Sequence, residues 1–194
     1  MASGAFSGID GKTALLLAPL ATSTASLVFG WDQHLFLSLL AASPQGEAAL
    51  PGYWRALFPR GVTQVFALLG ATAGASAGAA WAHGALLRRR GALGWYAAAG
   101  LLALGHLAFV PAVAGRIKDM TEADTDAAAD VNVGAEGTTT EKAEAETEAQ
   151  DNKRGRPDVV RLQREWLRVN LVRTLTTDLG AWVCAFVAAI KTFS

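Results

Sequence analysis

Uncharged stretches divide this chain more sharply than any other pattern. Nineteen residues separate Lys12 from Asp32, 27 separate Arg60 from Arg88 and 25 separate Arg90 from Arg116, none of them charged. A helix rises 1.5 Å per residue, so roughly 20 residues cross a hydrocarbon core of ~30 Å, and each stretch is long enough. A fourth apolar stretch, Leu167 to Ile190, has the length but carries Arg173 and Asp178. Its last twelve residues before Lys191 are uncharged and too few to cross alone, so the charged half crosses with them. The pattern predicts membrane helices over about 13–31, 62–82, 93–114 and 167–190.

A different material lies between the third and fourth helices. Asp119 to Asp158 holds 12 of the 17 acidic residues, four basic residues, one proline and no aromatic residue, too little apolar surface to fold. It reads as a solvated, disordered acidic loop over about 119–158 that leaves the rest of the chain at net +8. The fold class is therefore all-α: a four-transmembrane-helix bundle forming one integral-membrane domain over 1–194, interrupted by that loop. The apolar run after Lys12 continues through TSTAS into LVFGW without a clean stop, which favours a retained first helix over a cleaved signal peptide. Both termini then share a side with residues 83–92, and loops 32–61 and 116–165 face the other. Arg88, Arg89 and Arg90 argue for cytoplasmic termini, while Arg116, Lys118 and the basic group from Lys153 to Arg164 pull the other way. The organelle is not encoded.

Composition narrows the classes further. The chain is 52% apolar with a net charge of zero and a mean hydropathy of +0.26. Its basic residues form no single periodic face, so nucleic-acid binding is excluded. One cysteine, Cys184, permits no internal disulfide, no CxxC redox pair and no Cys-based zinc or iron–sulfur site.

Gly70, Gly74 and Gly78 fall at i, i+4 and i+8 and predict a close-packing helix face, within the bundle or in a homo-oligomer. Trp31, Trp54, Trp81, Trp95 and Trp166 fall near span ends, where an interfacial aromatic belt is expected. The chemistry concentrates in the fourth span. At 100° per residue, Trp166, Asn170, Arg173 and Thr177 share a stripe about 60° wide, with Asp178 turned about 120° from Trp166. Arg173 lies about 10 Å and Asp178 about 18 Å in from Trp166, at a depth where an unpaired charge costs ~2.5 kcal/mol or more. Such a pair is either structural glue or part of a ligand or proton-handling site. Asp32, His34, Arg60, His106, Asn170 and Arg173 project from the same half of the membrane. A lone histidine in an apolar helix is ordinarily a hydrogen-bonded core residue, which is the alternative to a catalytic His106.

These features resemble the fungal anthrone oxygenase family of small integral-membrane proteins. The likeness rests on the four-span plan and on the Trp31-Asp32 pair at the end of span one. It also rests on FVPAVAGRIKDM (109–120) closing span three, the hydrophilic insertion, and WLRVNLVRTLTTDLGAW (166–182) opening span four. The strongest match is W-x3-N-x2-R-x4-D on Trp166, Asn170, Arg173 and Asp178, and the likeness covers nearly the whole chain outside the acidic segment. The resemblance implies a monooxygenase of secondary metabolism. It would oxidise the central methylene of a polyketide anthrone, of the emodin-anthrone or noranthrone type, to the anthraquinone with O2 as co-substrate and no flavin, haem or nicotinamide. No GxGxxG follows a strand, and three histidines at different depths do not supply the axial pair of a membrane cytochrome.

On that reading Arg173 and Asn170 hold the enolate oxygen, His106 or Asp178 is the base, Trp166 stacks on the substrate, and Thr177, Asp32 and His34 complete its contacts. The strip must then face a cavity large enough for a planar aromatic. No metal is assigned, although a copper or iron site on Asp32, His34 and His106 stays open at this level. Two other classes compete. A small-molecule transporter wants a membrane carboxylate reachable from both sides, and spans one to three contain none; a tetraspan adaptor suits the glycine stripe but needs no buried arginine.

Overall fold

The computed structural model describes residues 10–123 and 158–194; residues 1–9 and most of the predicted acidic loop lie outside the described residues. The described elements are helical: α1 (Gly11–Ala42), α2 (Gly46–Arg89), α3 (Leu93–Gly105), a 3-10 turn (His106–Phe109), α4 (Val110–Glu122), α5 (Val159–Arg173), a π turn (Thr174–Asp178) and α6 (Leu179–Phe193). Four stretches, Gly11–Ala42, Gly46–Arg89, Leu93–Glu122 and Val159–Phe193, are long and apolar enough to cross a membrane. They contain the four predicted spans but outrun them. Residues 32–42 and 46–61 are helical where a loop is expected, and α4 continues to Glu122, past the expected loop start at 119. Charge spacing marks where hydrocarbon must end, whereas Ala, Leu, Arg and Glu beyond that point remain good helix formers. Asp158 opens α5 with its carboxylate accepting the Arg161 N–H at 2.8 Å, and Asp10 does the same for Thr13 at 2.6 Å in α1.

The chain divides into two compact units. One takes residues 10–33, 62–110 and 170–194 of the described chain, the other 34–61, 111–123 and 158–169. In the first, α2 passes to α3 through a Schellman turn. Ala92 N–H bonds the Leu87 carbonyl at 2.8 Å, Gly91 N–H bonds that of Arg88 at 3.1 Å, and Gly91 takes φ +63, which lacks a Cβ penalty only for glycine. Leu87 and Ala92 are fully buried with Leu16, Tyr96 and Ala188. The Tyr96 hydroxyl donates to the Leu16 carbonyl at 2.7 Å. The polar run TSTAS stays helical because Thr22, Ser23 and Thr24 return their hydroxyls to carbonyls of the preceding turn.

The predicted glycine face does not hold α2 in this unit. A Cβ at Gly70 or Gly74 would meet nothing within 4 Å, and only Gly78 of the three approaches a neighbour, Leu15. Packing uses the opposite face instead: Thr72 bonds Thr22 across the helices at 2.8 Å, and Gly100 comes so close to α2 that a Cβ there would sit 3.2 Å from Ser76 Cβ. Small hydroxyl side chains give the same close approach as glycine while adding a hydrogen bond.

The second unit is built on a tryptophan pair. Trp54 and Trp166 meet edge to face, centroids 5.0 Å apart at 73°, and the Trp54 indole N–H donates to Gln163 Oε1 at 2.6 Å. Leu37, Leu50, Met120 and Leu162 close around them. Of the five tryptophans expected in an aromatic belt, Trp31, Trp81 and Trp95 are exposed, whereas Trp54 and Trp166 are buried against one another in a core. Arg116 donates to Glu165 at 3.1 Å, joining α4 to α5, and Arg161 donates to the same carboxylate at 2.9 Å from within α5. Trp54→Ala removes a buried ring and strands Gln163, and should cost about 3–5 kcal/mol, read as a lower thermal midpoint in detergent; Trp81→Ala, at a fully exposed ring, should leave the midpoint nearly unchanged.

Candidate functional site

His106 is presented by a break in the third membrane stretch. An uninterrupted α-helix would have the Leu107 carbonyl accept from residue 111, but that residue is proline and has no N–H. Val110 N–H takes the Leu107 carbonyl instead, three residues on, and the chain tightens into the 3-10 turn that begins at His106.

The fourth stretch is broken in the opposite sense. After Arg173 the helix widens into a π turn, in which Leu179 N–H reaches the Thr174 carbonyl five residues back. Threonines at 174, 176 and 177 favour this, because β-branched hydroxyl residues compete for helix carbonyls: Thr176 bonds Val172 O at 2.6 Å and Thr177 bonds Arg173 O at 3.0 Å. The widening changes the phase. A regular α-helix would set Asp178 about 140° from Arg173, whereas a five-residue repeat puts both on one side. Arg173 Nε lies 3.5 Å from Asp178 Oδ2. Asp178 thus joins the strip from which straight helical phase excludes it.

The carboxylate is shared. Its other oxygen, Oδ1, lies 3.0 Å from His106 Nδ1, with the histidine and aspartate side chains only 8% and 1% exposed. With the carboxylate ionised, Nδ1 is the donor in this contact and Nε2 is the ring nitrogen left over. Asn170 donates from Nδ2 to the Gly30 carbonyl at 3.2 Å, tying this strip to α1. Gly30 is required by the approach: a Cβ there would sit 2.9 Å from Thr174 Oγ1 and 3.3 Å from both the Arg173 guanidinium and Asp178 Oδ2. Among the described residues, Asn170 Oδ1, Arg173 Nε, Thr174 Oγ1 and Asp178 Oδ2 are buried without a hydrogen-bond partner. Buried polar atoms without a hydrogen bond are rare in folded proteins, and here four lie within nine residues, two of which, Arg173 Nε and Asp178 Oδ2, face one another as an ion pair at 3.5 Å.

The structure therefore gathers His106, Asn170, Arg173 and Asp178 and adds Gly30 and Thr174, which sequence reasoning missed. Gly30 had one signal, a glycine beside the Trp31-Asp32 pair in an apolar helix; Thr174 becomes legible only once the π turn is known. Thr177 spends its hydroxyl on the helix itself. Trp166 lies in the core of the second unit with Trp54. Asp32 is exposed on α1, and His34 is half-buried in the second unit. No group of three His, Cys, Asp or Glu side chains among the described residues is arranged to hold a metal, so Asp32, His34 and His106 do not form such a set.

The expected cavity differs as well. A crevice beside Asp178, lined by Ser23, Ser26, Leu69, Thr72, Ala103 and Ala181, is too narrow for a water molecule. Small side chains let the helices close until no planar ring fits there without their separation.

No family model matches the chain, and no solved structure matches it. Two curated fungal proteins do, almost end to end: the epoxidase gkaX of Penicillium citrinum, 24% identical over 189 residues, and the epoxidase pydX of an Acremonium species, 27% identical over 193 residues, each alignment covering 91% of this chain and 93% of the other. The chain is thus similar, distantly and over its full plan of helices, to fungal oxidative enzymes.

Proposed function

We propose that this protein is a membrane-embedded oxygenase of fungal-type secondary metabolism that oxidises the methylene of a polyketide anthrone to the anthraquinone. The observation that carries the proposal is the buried His106–Asp178–Arg173 array with hydrogen-bonding capacity left over. Intramembrane ionisable groups ordinarily mark a functional site, and a scaffold leaves this array without a task. The similarity to two fungal epoxidases supports the oxidative class.

The chemistry needs little beyond acid–base groups. An anthrone methylene gives four electrons as it becomes a carbonyl, so one O2 supplies the quinone oxygen and one water, and no outside reductant or further cofactor is drawn in. His106 Nε2 would take the methylene proton, with Asp178 holding the ring through Nδ1. Arg173 and Asn170 would steady the enolate oxygen, and the electron-rich enolate then reacts with O2. The narrow crevice at Asp178 means that substrate is admitted by parting helices rather than by filling a standing void. Epoxidation of an alkene is the second reading, favoured by the names of the two relatives. It leaves two electrons of O2 unaccounted for and calls for a donor.

Membranes carrying the wild-type protein should accelerate oxygen uptake and quinone formation from an anthrone over empty membranes, and His106→Ala should lower the rate by about 10²–10⁴-fold. Arg173→Ala should lose about 10²–10³-fold, the scale of one removed oxyanion donor. Because a lone buried carboxylate also destabilises, Arg173→Met combined with Asp178→Asn provides the control: removing both charges should recover the protein level without recovering turnover. Undiminished conversion in either single variant at equal protein level overturns these assignments, and an epoxide as the product moves the protein to the second reading.

A further inference from the structure

The polar atoms left unmatched in this unit are not evenly divided between donors and acceptors. Beyond the four at the array, and apart from Ser76 Oγ on α2, Gln33 Oε1 is also buried with no hydrogen-bond partner among the described residues. Gln33 lies on α1, where Ser26, Gly30 and Gln33 fall within about 60° of one another around the helix. That is the face on which Asn170 grips the Gly30 carbonyl and against which Thr174 and Asp178 press. Gln33 is therefore one turn beyond the Gly30 contact, on the side of α1 turned toward the fourth membrane stretch.

The orientation of Asn170 is set by its bond. Nδ2 must donate to the Gly30 carbonyl, so Oδ1 is the free end and can only accept. Gln33 Oε1 is likewise an acceptor, as is Asp178 Oδ2. Arg173 Nε is the one atom of the five that can only donate, and the Thr174 hydroxyl can do either. A ligand that satisfies this set brings O–H groups to the two amide oxygens and a single acceptor oxygen to Arg173. An aromatic ether offers no hydrogen and would bury those amide oxygens unmatched, which a site of this kind rejects.

We infer that Gln33 and Asn170 form an acceptor edge that selects ligands with free hydroxyl groups over their O-alkylated counterparts, Gln33 being a specificity-determining residue of the site. The inference rests on the reading of this array as a substrate site, and it concerns recognition rather than the oxidation itself.

Binding to purified protein in detergent tests it apart from turnover. A tricyclic anthrone with free phenolic hydroxyls and its O-methyl ether are each titrated against wild type, Gln33→Met and Gln33→Leu, with quenching of tryptophan fluorescence as the readout. Wild type should bind the phenol about tenfold or more tightly than the ether, and the substitutions should reduce that ratio toward one by weakening the phenol alone. Unchanged ether binding shows that the variants keep their fold. Equal wild-type affinity for both ligands, binding of neither, or a preference that survives both substitutions overturns the inference. A phenol that binds with the expected preference but is not oxidised overturns the reaction and leaves the acceptor edge standing.

Discussion

The contact on which the structure turns is the meeting of Arg173 and Asp178 around Gly30. Either charge alone in hydrocarbon is costly, and the pair is tolerable only because each lies within 3.5 Å of the other and the carboxylate is held again by His106 at 3.0 Å. That arrangement leaves no room for a side chain on α1, so a single glycine sets how near the first helix can come. Removing Arg173 or His106 takes a partner from the buried Asp178 carboxylate, and removing Asp178 leaves the guanidinium without its counter-charge.

Two departures from α-helical geometry make the contact available. A proline takes an N–H away from the third stretch and tightens it at His106; threonines loosen the fourth and rotate Asp178 inward. In a membrane each freed backbone group must find a partner within the protein, and here neighbouring N–H groups and threonine hydroxyls supply them. Within the third and fourth stretches the irregular backbone falls at the level of the chemistry, and α2 carries a separate kink at His83.

The membrane stretches were legible in the sequence because charge spacing registers the thickness of hydrocarbon directly. Helix ends were not, since Glu47, Arg55 and Arg60 forbid the membrane interior without forbidding helix. Straight helical phase correctly aligned Asn170 with Arg173 and failed at Asp178, beyond the π turn, where the count of residues per turn itself changes. Trp166 satisfies the same stripe arithmetic, which gave no sign of its edge-to-face contact with Trp54, more than one hundred residues earlier in the chain. Gly30 and Gln33 carried almost no local signal, because the significance of a missing side chain or an unmatched amide depends on what another helix brings to it. The glycine stripe shows the converse, a strong local pattern that the chain's own packing does not use.

The turn at Gly91 bears on how the chain enters a bilayer. With so few residues between α2 and α3, the two stretches can only lie side by side and antiparallel, as a helical hairpin. Ser76 and Gly100 face each other within that hairpin. In chain order the arginine and aspartate come last, after the small-residue seam and the imidazole that they meet.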